Sequence, residues 1–297
     1  MYQFDEDKEN RFRTYSIRPS SVQRSQWAPN VPNDHDDSIL VYLSDVDSPR
    51  AVYSSIDTTS CRLAWGGLRG PCCAEIVADV WDCNKARLWL ETCASCHGDV
   101  CKQNTMMVAG MNLIDCENMV IVKAEEGLCW VALSYVWGAD YQPSGSDLLG
   151  YREGSKLSAT VPTTIRDAVH VTLQLGYRYL WIDEYCIDQS DETHRKEQIE
   201  KMDQIYQGAS LTIVAAAGTD KAYGLPGVLT TRRKGRKVAR IDDVILFSNG
   251  PDPCKVAERS KWFTRAWTFQ ESLLSRRLLV FTDYQMIFQC STTSTKE

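Results

Sequence analysis

The hydrophobic pattern of this chain becomes regular at about residue 130. From there, three short apolar runs predict strands over residues 130–135, 179–182 and 211–217. The stretches between them repeat apolar residues at helical spacing and predict helices over 164–175 and 191–209. A strand-helix-strand-helix-strand order is typical of parallel sheets with crossover helices. We therefore predict an α/β fold with a mostly parallel central sheet flanked by helices.

Further elements are predicted on both sides of this core. They are a strand at 39–43, a helix at 79–93, a hairpin at 112–123, a helix at 267–274 and a closing C-terminal β-hairpin at 278–290. A capping box formed by Thr164 and Asp167 is predicted to begin the helix that follows Pro162.

The chain is predicted to have three parts. Residues 1–37 are rich in Ser, Asp, Asn, Arg and Pro and predict a flexible polar lead-in. Residues 38–110 form an N-terminal elaboration of the fold, and residues 111–297 form the main domain.

Composition and charge narrow the class of protein. A net charge of −6 gives no electrostatic argument for a nucleic-acid partner, and the basic segment 232–237 is interpreted as a solvated loop. No run approaches the roughly 18 apolar residues of a membrane span. The first residues are polar, unlike a secretory signal peptide. We therefore expect a cytoplasmic protein with reduced cysteines.

Polar and aromatic residues follow the predicted strands at their carboxyl ends, where open α/β sheets bind ligands. A third block of similar character opens the helix at 267–274. The candidate catalytic residues are Asp183, Glu184, Cys186 and Glu271. The candidate ligand-binding residues are Ser134, Tyr135, Trp137, Gln189, Arg265, Trp267 and Gln270.

Each candidate role has a structural alternative. Asp183 and Glu184 are adjacent at a predicted strand end, so only one is expected to face the crevice beyond the strands. A carboxylate there suits a general base or stabilises a developing oxocarbenium ion, whereas the alternative is a turn cap or an ion pair with Arg265. Cys186 is a nucleophile or a buried structural thiol. Arg265 recognises an anionic group or pairs with a core carboxylate.

A second cluster of candidate residues lies upstream. Cys93, Cys96, His97 and Cys101 place four soft or borderline ligands within nine residues. Structural zinc sites use Cys and His at such spacings. The alternative is a set of buried free thiols, because Cys93 lies on the apolar face of a predicted helix.

Three blocks of the chain carry a family resemblance. Residues 133–138 (LSYVWG) resemble the first motif of the fungal heterokaryon-incompatibility (HET) domain. The stretch from Pro162 to Ala209, with YLWID and CIDQ, resembles its second motif. Arg265-x-Trp-Thr-Phe-Gln-Glu271 resembles the third, and the order of the three is that of the family.

The resemblance implies a signalling effector of fungal self/non-self recognition and regulated cell death. The family is thought to be distantly similar to TIR domains, which implies a TIR-like or flavodoxin-like sheet and, in some relatives, cleavage of NAD by a glutamate. It also places the family's aspartate at Asp183. The alternatives are a stand-alone enzyme that acts on a small metabolite in the same crevice, or a non-catalytic assembly module that forms homo-oligomers. These hypotheses imply a nucleotide or other small-molecule ligand, with NAD as a candidate substrate, whereas zinc is a candidate structural metal on the spacing of the cysteines and His97 alone.

Overall fold

The computed structural model describes residues 77–102, 108–138, 153–158, 160–235 and 251–297, together with the backbone of five further strands. The chain divides into two compact units. The first comprises residues 1–76 and 235–252, and the second comprises residues 77–234 and 253–297.

The first unit contains one antiparallel sheet. Its strands are β1 (Phe12–Tyr15), β2 (Ile39–Asp45), β3 (Ser60–Trp65), β9 (Val238–Ile241) and β10 (Val244–Ser248). They lie in the order β1-β2-β3-β10-β9. The strand predicted at 39–43 is confirmed as β2. Apart from β1, the lead-in predicted at 1–37 lies outside the described residues.

The second unit contains an eight-stranded mixed sheet. Its strands are β4 (Asn112–Asp115), β5 (Val120–Lys123), β6 (Trp130–Ser134), β7 (Tyr179–Trp181), β8 (Leu211–Ala215), β11 (Arg277–Phe281), β12 (Met286–Cys290) and β13 (Ser294–Lys296). The order is β13-β12-β11-β8-β6-β7-β4-β5. The strands predicted from residue 130 onward, and both hairpins, are confirmed.

The prediction of a mostly parallel sheet is wrong. Only β11-β8, β8-β6 and β6-β7 are parallel pairs, whereas both edges of the sheet add antiparallel strands. The antiparallel pairs are the majority because each hairpin adds its strands at an edge. The fold class is α/β, with four parallel strands at the centre of a mixed sheet.

Helices connect and cover these strands. They are α1 (Cys83–Cys96), α2 (Thr163–Gln174), α3 (Asp183–Cys186), α4 (Glu192–Glu200), α5 (Met202–Gly208), α6 (Pro253–Glu258) and α7 (Ala266–Leu274). The predicted helices near α1, α2 and α7 are confirmed. Helix α1 begins later than predicted because the Asp82 side chain accepts hydrogen bonds from the backbone of Asn84 and Lys85, which caps the helix there.

The single helix predicted over 191–209 is two helices, α4 and α5, separated at Lys201. Helix α4 is almost entirely polar, and its single large apolar residue, Ile199, is 40% exposed. The residue that α4 buries is Gln198. The buried apolar stripe is therefore restricted to α5, where Ile205 and Tyr206 pack into the core.

The capping box predicted at α2 is wrong. The side chain of Thr164 accepts a hydrogen bond from the backbone of Gly224 (3.0 Å), and Asp167 accepts from the backbone of Leu225 (3.0 Å) and the hydroxyl of Thr231 (2.7 Å). These side chains fix the loop at 224–231 to α2. Gly224 has φ of +93°, and a Cβ there would meet the Thr231 hydroxyl at 2.1 Å, so the loop requires glycine at this position.

The basic segment at 232–237 is not simply a solvated loop. The side chain of Arg233 is 2% exposed, and its guanidinium forms an ion pair with Glu297 (2.8 Å). It also donates to the carbonyl oxygen of Ala78 (2.9 Å).

The sheet is buried on both faces at its centre. In β11, Leu279 and Phe281 belong to the main hydrophobic cluster, whereas Leu278 and Val280 belong to a second cluster with Trp262. Such two-sided burial explains why the parallel strands are continuous apolar runs. Among the described residues, no helix has the length and apolarity needed to cross a membrane.

The order of the parallel strands determines where a site can form. The chain runs from β6 to β7 on one side and then to β8 on the other side of β6. The connections therefore diverge between β6 and β8, whose register pairs Ser134 with Val214. At such a switch point, the carboxyl ends of the strands leave a crevice in which ligands bind in open α/β sheets.

Candidate functional site

The second polar block begins with a helical turn rather than a strand end. Strand β7 ends at Trp181, and the backbone of Cys186 donates to the carbonyl of Ile182 (2.7 Å), which closes α3. The prediction that Asp183 and Glu184 point to opposite faces of a strand is therefore wrong. The turn brings both carboxylates against the residues that follow β6, where each has its own partners.

Asp183 is held by the first sequence block. The indole Nε1 of Trp137 donates to its two carboxylate oxygens (3.2 and 3.0 Å), and the backbone of Glu184 donates to one of them (2.8 Å). Part of the residue still reaches solvent, yet the surrounding protein removes most of the water from its carboxylate. This desolvation, followed by the negative charge of Glu271, raises the pKa of Asp183 to about 8.

Glu184 belongs to a separate ion pair. Its carboxylate accepts hydrogen bonds from the Tyr135 hydroxyl (2.7 Å) and from Nζ of Lys221 (2.6 Å), and the residue is 5% exposed. Burial raises the pKa of Tyr135 well above its usual value, so its hydroxyl remains a donor. These two partners donate hydrogen bonds to both oxygens of the Glu184 carboxylate, which indicates a positioning role.

Glu271 reaches from α7 to the end of β6. The hydroxyl of Ser134 donates to the Glu271 carboxylate, and Nε1 of Trp262 donates to the Ser134 oxygen (2.7 Å). Glu271 is 6% exposed. Desolvation raises the pKa of Glu271, whereas hydrogen bonds from Ser134 and Tyr206 and the charge of Arg265 oppose the rise. We call Ser134, Trp137, Asp183, Trp262 and Glu271 the carboxylate site.

An open depression lies beside this site, between α5 and α7. The space between its walls is about 180 Å³ when open solvent is counted. Its walls are Met202, Tyr206, Trp267, Gln270, Glu271 and Leu274. Trp267 is 53% exposed, so its ring is available to a ligand, and Gln270 is exposed beside it. Three predicted site residues, Trp267, Gln270 and Glu271, therefore lie together.

The remaining candidates have backbone or core partners. The Arg265 guanidinium donates to the carbonyl oxygen of Tyr135 (3.3 Å), and the Gln189 amide donates to the carbonyls of Asp183 (3.4 Å) and Ile187 (3.3 Å). Cys186 is buried, and burial raises the pKa of its thiol to about 12. A thiol with such a pKa is a poor nucleophile near neutral pH.

The sequence did not single out Trp262 or Lys221, and it identified Tyr206 only as a core residue. Trp262 and Lys221 lie in segments without a distinctive motif. Their contacts with Ser134 and Glu184, and that of Tyr206 with Glu271, join segments that are distant in sequence. Local sequence patterns carry no signal for such contacts.

The cysteine and histidine candidates are brought together only in part. The ligand atoms of Cys93, His97, Cys101 and Cys290 lie within 4.8 Å of one another. Cys96 does not join them, because its side chain is exposed and contacts the Ser95 hydroxyl (3.5 Å). The fourth member comes instead from β12, almost 200 residues later in the chain.

The geometry defines an α/β protein in which the half-buried Asp183 and the buried Glu271 lie near the switch point of the sheet. Residues 130–271 match the family model of the heterokaryon incompatibility protein (HET). This chain therefore contains a segment that matches the HET family. The matched segment contains all three blocks that form the carboxylate site.

Comparison with curated proteins identifies a similar protein in a fungus. The vegetative incompatibility protein HET-E-1 of Podospora anserina is 31% identical over 144 residues. The similar region covers 48% of this chain and 9% of that protein. No solved structure matches the chain.

Proposed function

We propose that this chain is a HET-domain signalling effector of fungal self/non-self recognition and regulated cell death, and that its carboxylate site cleaves NAD or a related nucleotide. The first part is supported by the HET domain and by the name of the similar Podospora protein. The second part is supported by the geometry of the site.

The observation that carries this proposal is the position of Glu271. Its carboxylate lies in the wall of the open depression, next to the exposed ring of Trp267, while Asp183 interacts with it electrostatically. An exposed aromatic ring can stack on a base or nicotinamide. A buried carboxylate beside it can stabilise positive charge on a ribose.

The two carboxyl groups suit different tasks. With a pKa of about 8, Asp183 holds its proton near neutral pH. Desolvation raises the pKa of Glu271, whereas hydrogen bonds from Ser134 and Tyr206 and the charge of Arg265 oppose the rise, and we assign the ionised carboxylate of the pair to Glu271. Pairs of titratable groups with different environments are typical of acid–base sites.

In the proposed reaction, the bond between C1′ of the ribose and the nicotinamide nitrogen breaks. The bonding electrons go to nicotinamide, which leaves as a neutral molecule. The Glu271 carboxylate stabilises the oxocarbenium ion and removes a proton from the attacking water. The products are ADP-ribose, nicotinamide and one proton, so the reaction needs no oxidant or metal.

We also propose a TIR-like origin for the fold. The four parallel strands lie in the order β7-β6-β8-β11, which is second-first-third-fourth along the chain. This is the start of the flavodoxin-like strand order.

The proposed HET domain extends over residues 111–297, because β4 to β8 and β11 to β13 share one sheet. A cytoplasmic location belongs to the same proposal.

The test is nicotinamide release from NAD by the purified chain. We expect release by the parent protein and its loss in Glu271→Gln and Asp183→Asn. Glu258→Gln, which changes an exposed carboxylate on α6, is the matched control and should keep full activity. If Glu271→Gln folds and releases nicotinamide at the parental rate, the catalytic proposal is wrong.

A second candidate function, a non-catalytic assembly module, is favoured by the exposed apolar residues of α7. Leu273 is 72% exposed and Trp267 is 53% exposed on the same helix. Such residues can mark a protein–protein interface. Homo-oligomers that dissociate on Leu273→Glu, together with no nicotinamide release by the parent, would favour this function. If the protein is a monomer and releases no nicotinamide, another small metabolite becomes the candidate substrate.

A further inference from the structure

We propose that Cys93, His97, Cys101 and Cys290 bind one structural zinc ion, which links the end of α1 to β12. We call these four residues the cysteine–histidine cluster. It lies outside residues 130–271, so it is separate from the matched family segment and from the carboxylate site.

The chemistry of the four side chains fits zinc. Three thiols and one imidazole form a Cys3His set, which is a common structural zinc site. The thiols of Cys93 and Cys101 belong to residues that are each 1% exposed, and Cys290 is 8% exposed. Four protein ligands fill a tetrahedral zinc ion and leave no open coordination position, which indicates a structural rather than a catalytic ion.

The distances also fit. Nδ1 of His97 lies 3.3 Å from Sγ of Cys290 and 3.8 Å from Sγ of Cys101. Sulfur and nitrogen ligands of a tetrahedral zinc ion lie about 3.5–3.8 Å apart, given bonds of about 2.3 and 2.0 Å. The side chains therefore need only small movements to surround an ion.

The fold of the chain explains how the four residues meet. Cys93 is in the last turn of α1, His97 is its C-terminal cap, and Cys101 follows a short 3-10 turn over Gly98–Val100. The spacing of four residues keeps the first two on one side of the helix. Helix α1 packs on β12 through Trp89 and Phe288, whose ring centroids are 6.2 Å apart.

The surroundings of the cluster suit bound thiolates. Nε of Arg277 donates to Sγ of Cys93 (3.3 Å), and the backbone N–H of Thr293 donates to Sγ of Cys290 (3.3 Å). Hydrogen bonds to ligand atoms orient and stabilise metal sites. Another Arg277 nitrogen donates to the carbonyl oxygen of Cys101 (2.8 Å), which fixes the loop that carries the third ligand.

Charge balance gives an independent argument. Arg277 is 9% exposed, and its hydrogen-bond acceptors among the described residues are a sulfur and two carbonyl oxygens, with no carboxylate. Buried charges are expected to be compensated. Three thiolates, a neutral imidazole, a divalent cation and one guanidinium sum to zero charge. A zinc ion would therefore account for both the thiol cluster and the buried arginine.

The test is the metal content of the full chain, purified without chelator or added metal. Elemental analysis should find about one zinc per chain, as a single closed site requires. Replacement by cobalt should give sulfur-to-cobalt charge-transfer bands and the visible bands of tetrahedral coordination. A folded protein that lacks bound metal and gives no such bands would overturn the proposal, as would iron in place of zinc.

Two matched variants test which cysteine is the fourth ligand. Cys290→Ser should weaken zinc binding by about 100-fold or more, since even changes beyond the direct ligands cost 10–100-fold. Cys96→Ser should keep full zinc content, because Cys96 is exposed and outside the cluster. The opposite pattern, with zinc lost only in Cys96→Ser, would refute the proposed ligand set.

A further variant guards against a folding failure. Cys290→His retains a zinc ligand at the same place and should hold zinc when Cys290→Ser does not. Circular dichroism verifies the fold of each variant. Mass analysis of the unreduced protein must find free thiols after zinc removal, because a native disulfide among these cysteines would overturn the site. None of these measurements depends on nicotinamide release.

Discussion

The hydroxyl of Ser134 donates a hydrogen bond to the carboxylate of Glu271, which lies 137 residues further along the chain. Ser134 ends the first parallel strand, and Glu271 belongs to the last helix before the C-terminal hairpin. The bond joins the first and third sequence blocks of the matched family segment.

Ser134→Ala should destabilise the protein and impair the site. The change removes a donor to Glu271 and leaves Nε1 of the buried Trp262 without its Ser134 acceptor, which typically costs about 1–3 kcal/mol. Urea denaturation measures the loss. Ser158→Ala, at an exposed serine, should change the free energy of unfolding by less than about 0.5 kcal/mol. Equal effects of the two changes would contradict the prediction.

Asp183→Asn should change the pH dependence of stability. The pKa of Asp183 is raised from 3.8 to about 8, so the folded state binds more protons than the unfolded state between those values. The contribution of protonated Asp183 to the free energy of unfolding is complete below about pH 4. It is lost as the pH rises toward 8, by up to about 1.4 kcal/mol per pH unit.

Denaturation of the parent and of Asp183→Asn at several pH values measures this contribution. The variant has no titrating group at residue 183, so its stability relative to the parent should increase from pH 5 to pH 8. Asp99→Asn removes a carboxylate that is 96% exposed and should follow the parent at every pH. A constant difference between parent and Asp183→Asn would show that the carboxyl ionises normally.

Trp267→Ala should weaken nucleotide binding without loss of stability. The ring is half-exposed in the wall of the depression, and stacking of a base on an aromatic ring contributes about 1–3 kcal/mol. The KM for NAD is the proposed readout. Leu273→Ala, on the same helix but outside the depression, is the control and should leave KM unchanged. If both variants raise KM equally, the depression is not the ligand site.

Lys221→Met should destabilise the fold through Glu184. Removal of one member of a buried ion pair leaves an uncompensated charge and costs about 3–5 kcal/mol. The double variant Lys221→Met with Glu184→Gln should regain part of this loss, as measured in a double-mutant cycle. Lys123→Met breaks a pair whose side chains are 67% and 59% exposed, and it should cost less than about 1 kcal/mol. No recovery in the double variant would contradict the assigned pairing.

Much of the fold could be predicted because its strands and helices have strong local patterns. Strands β6 and β8 are continuous apolar runs, and α2 has apolar residues at helical spacing. The break between α4 and α5 was missed because the helical pattern continues through Lys201. The helical turn α3 was missed because an apolar run leads directly into it, so the pattern alone suggests a longer strand.

The site could be predicted only as a set of sequence blocks. Asp183 and Glu271 were identified by position and resemblance, but the effect of Glu271 on the pKa of Asp183 depends on how α7 lies against β6. The partners Trp262 and Lys221 approach from distant segments. Cys290 illustrates the same limit, because its nearest cluster partner, His97, is 193 residues away in sequence. A local sequence pattern contains no information about contacts between residues so far apart in the chain.

The two units alternate along the sequence, and this has a practical consequence for protein engineering. Residues 235–252 leave the larger unit and supply β9 and β10 to the sheet that contains β3. Deletion of residues 1–76 alone would leave β10 without β3, exposing an unpaired strand edge that invites aggregation. A fragment limited to the larger unit therefore has to begin near Val77 and also replace residues 235–252 with a linker from Lys234 to Pro253.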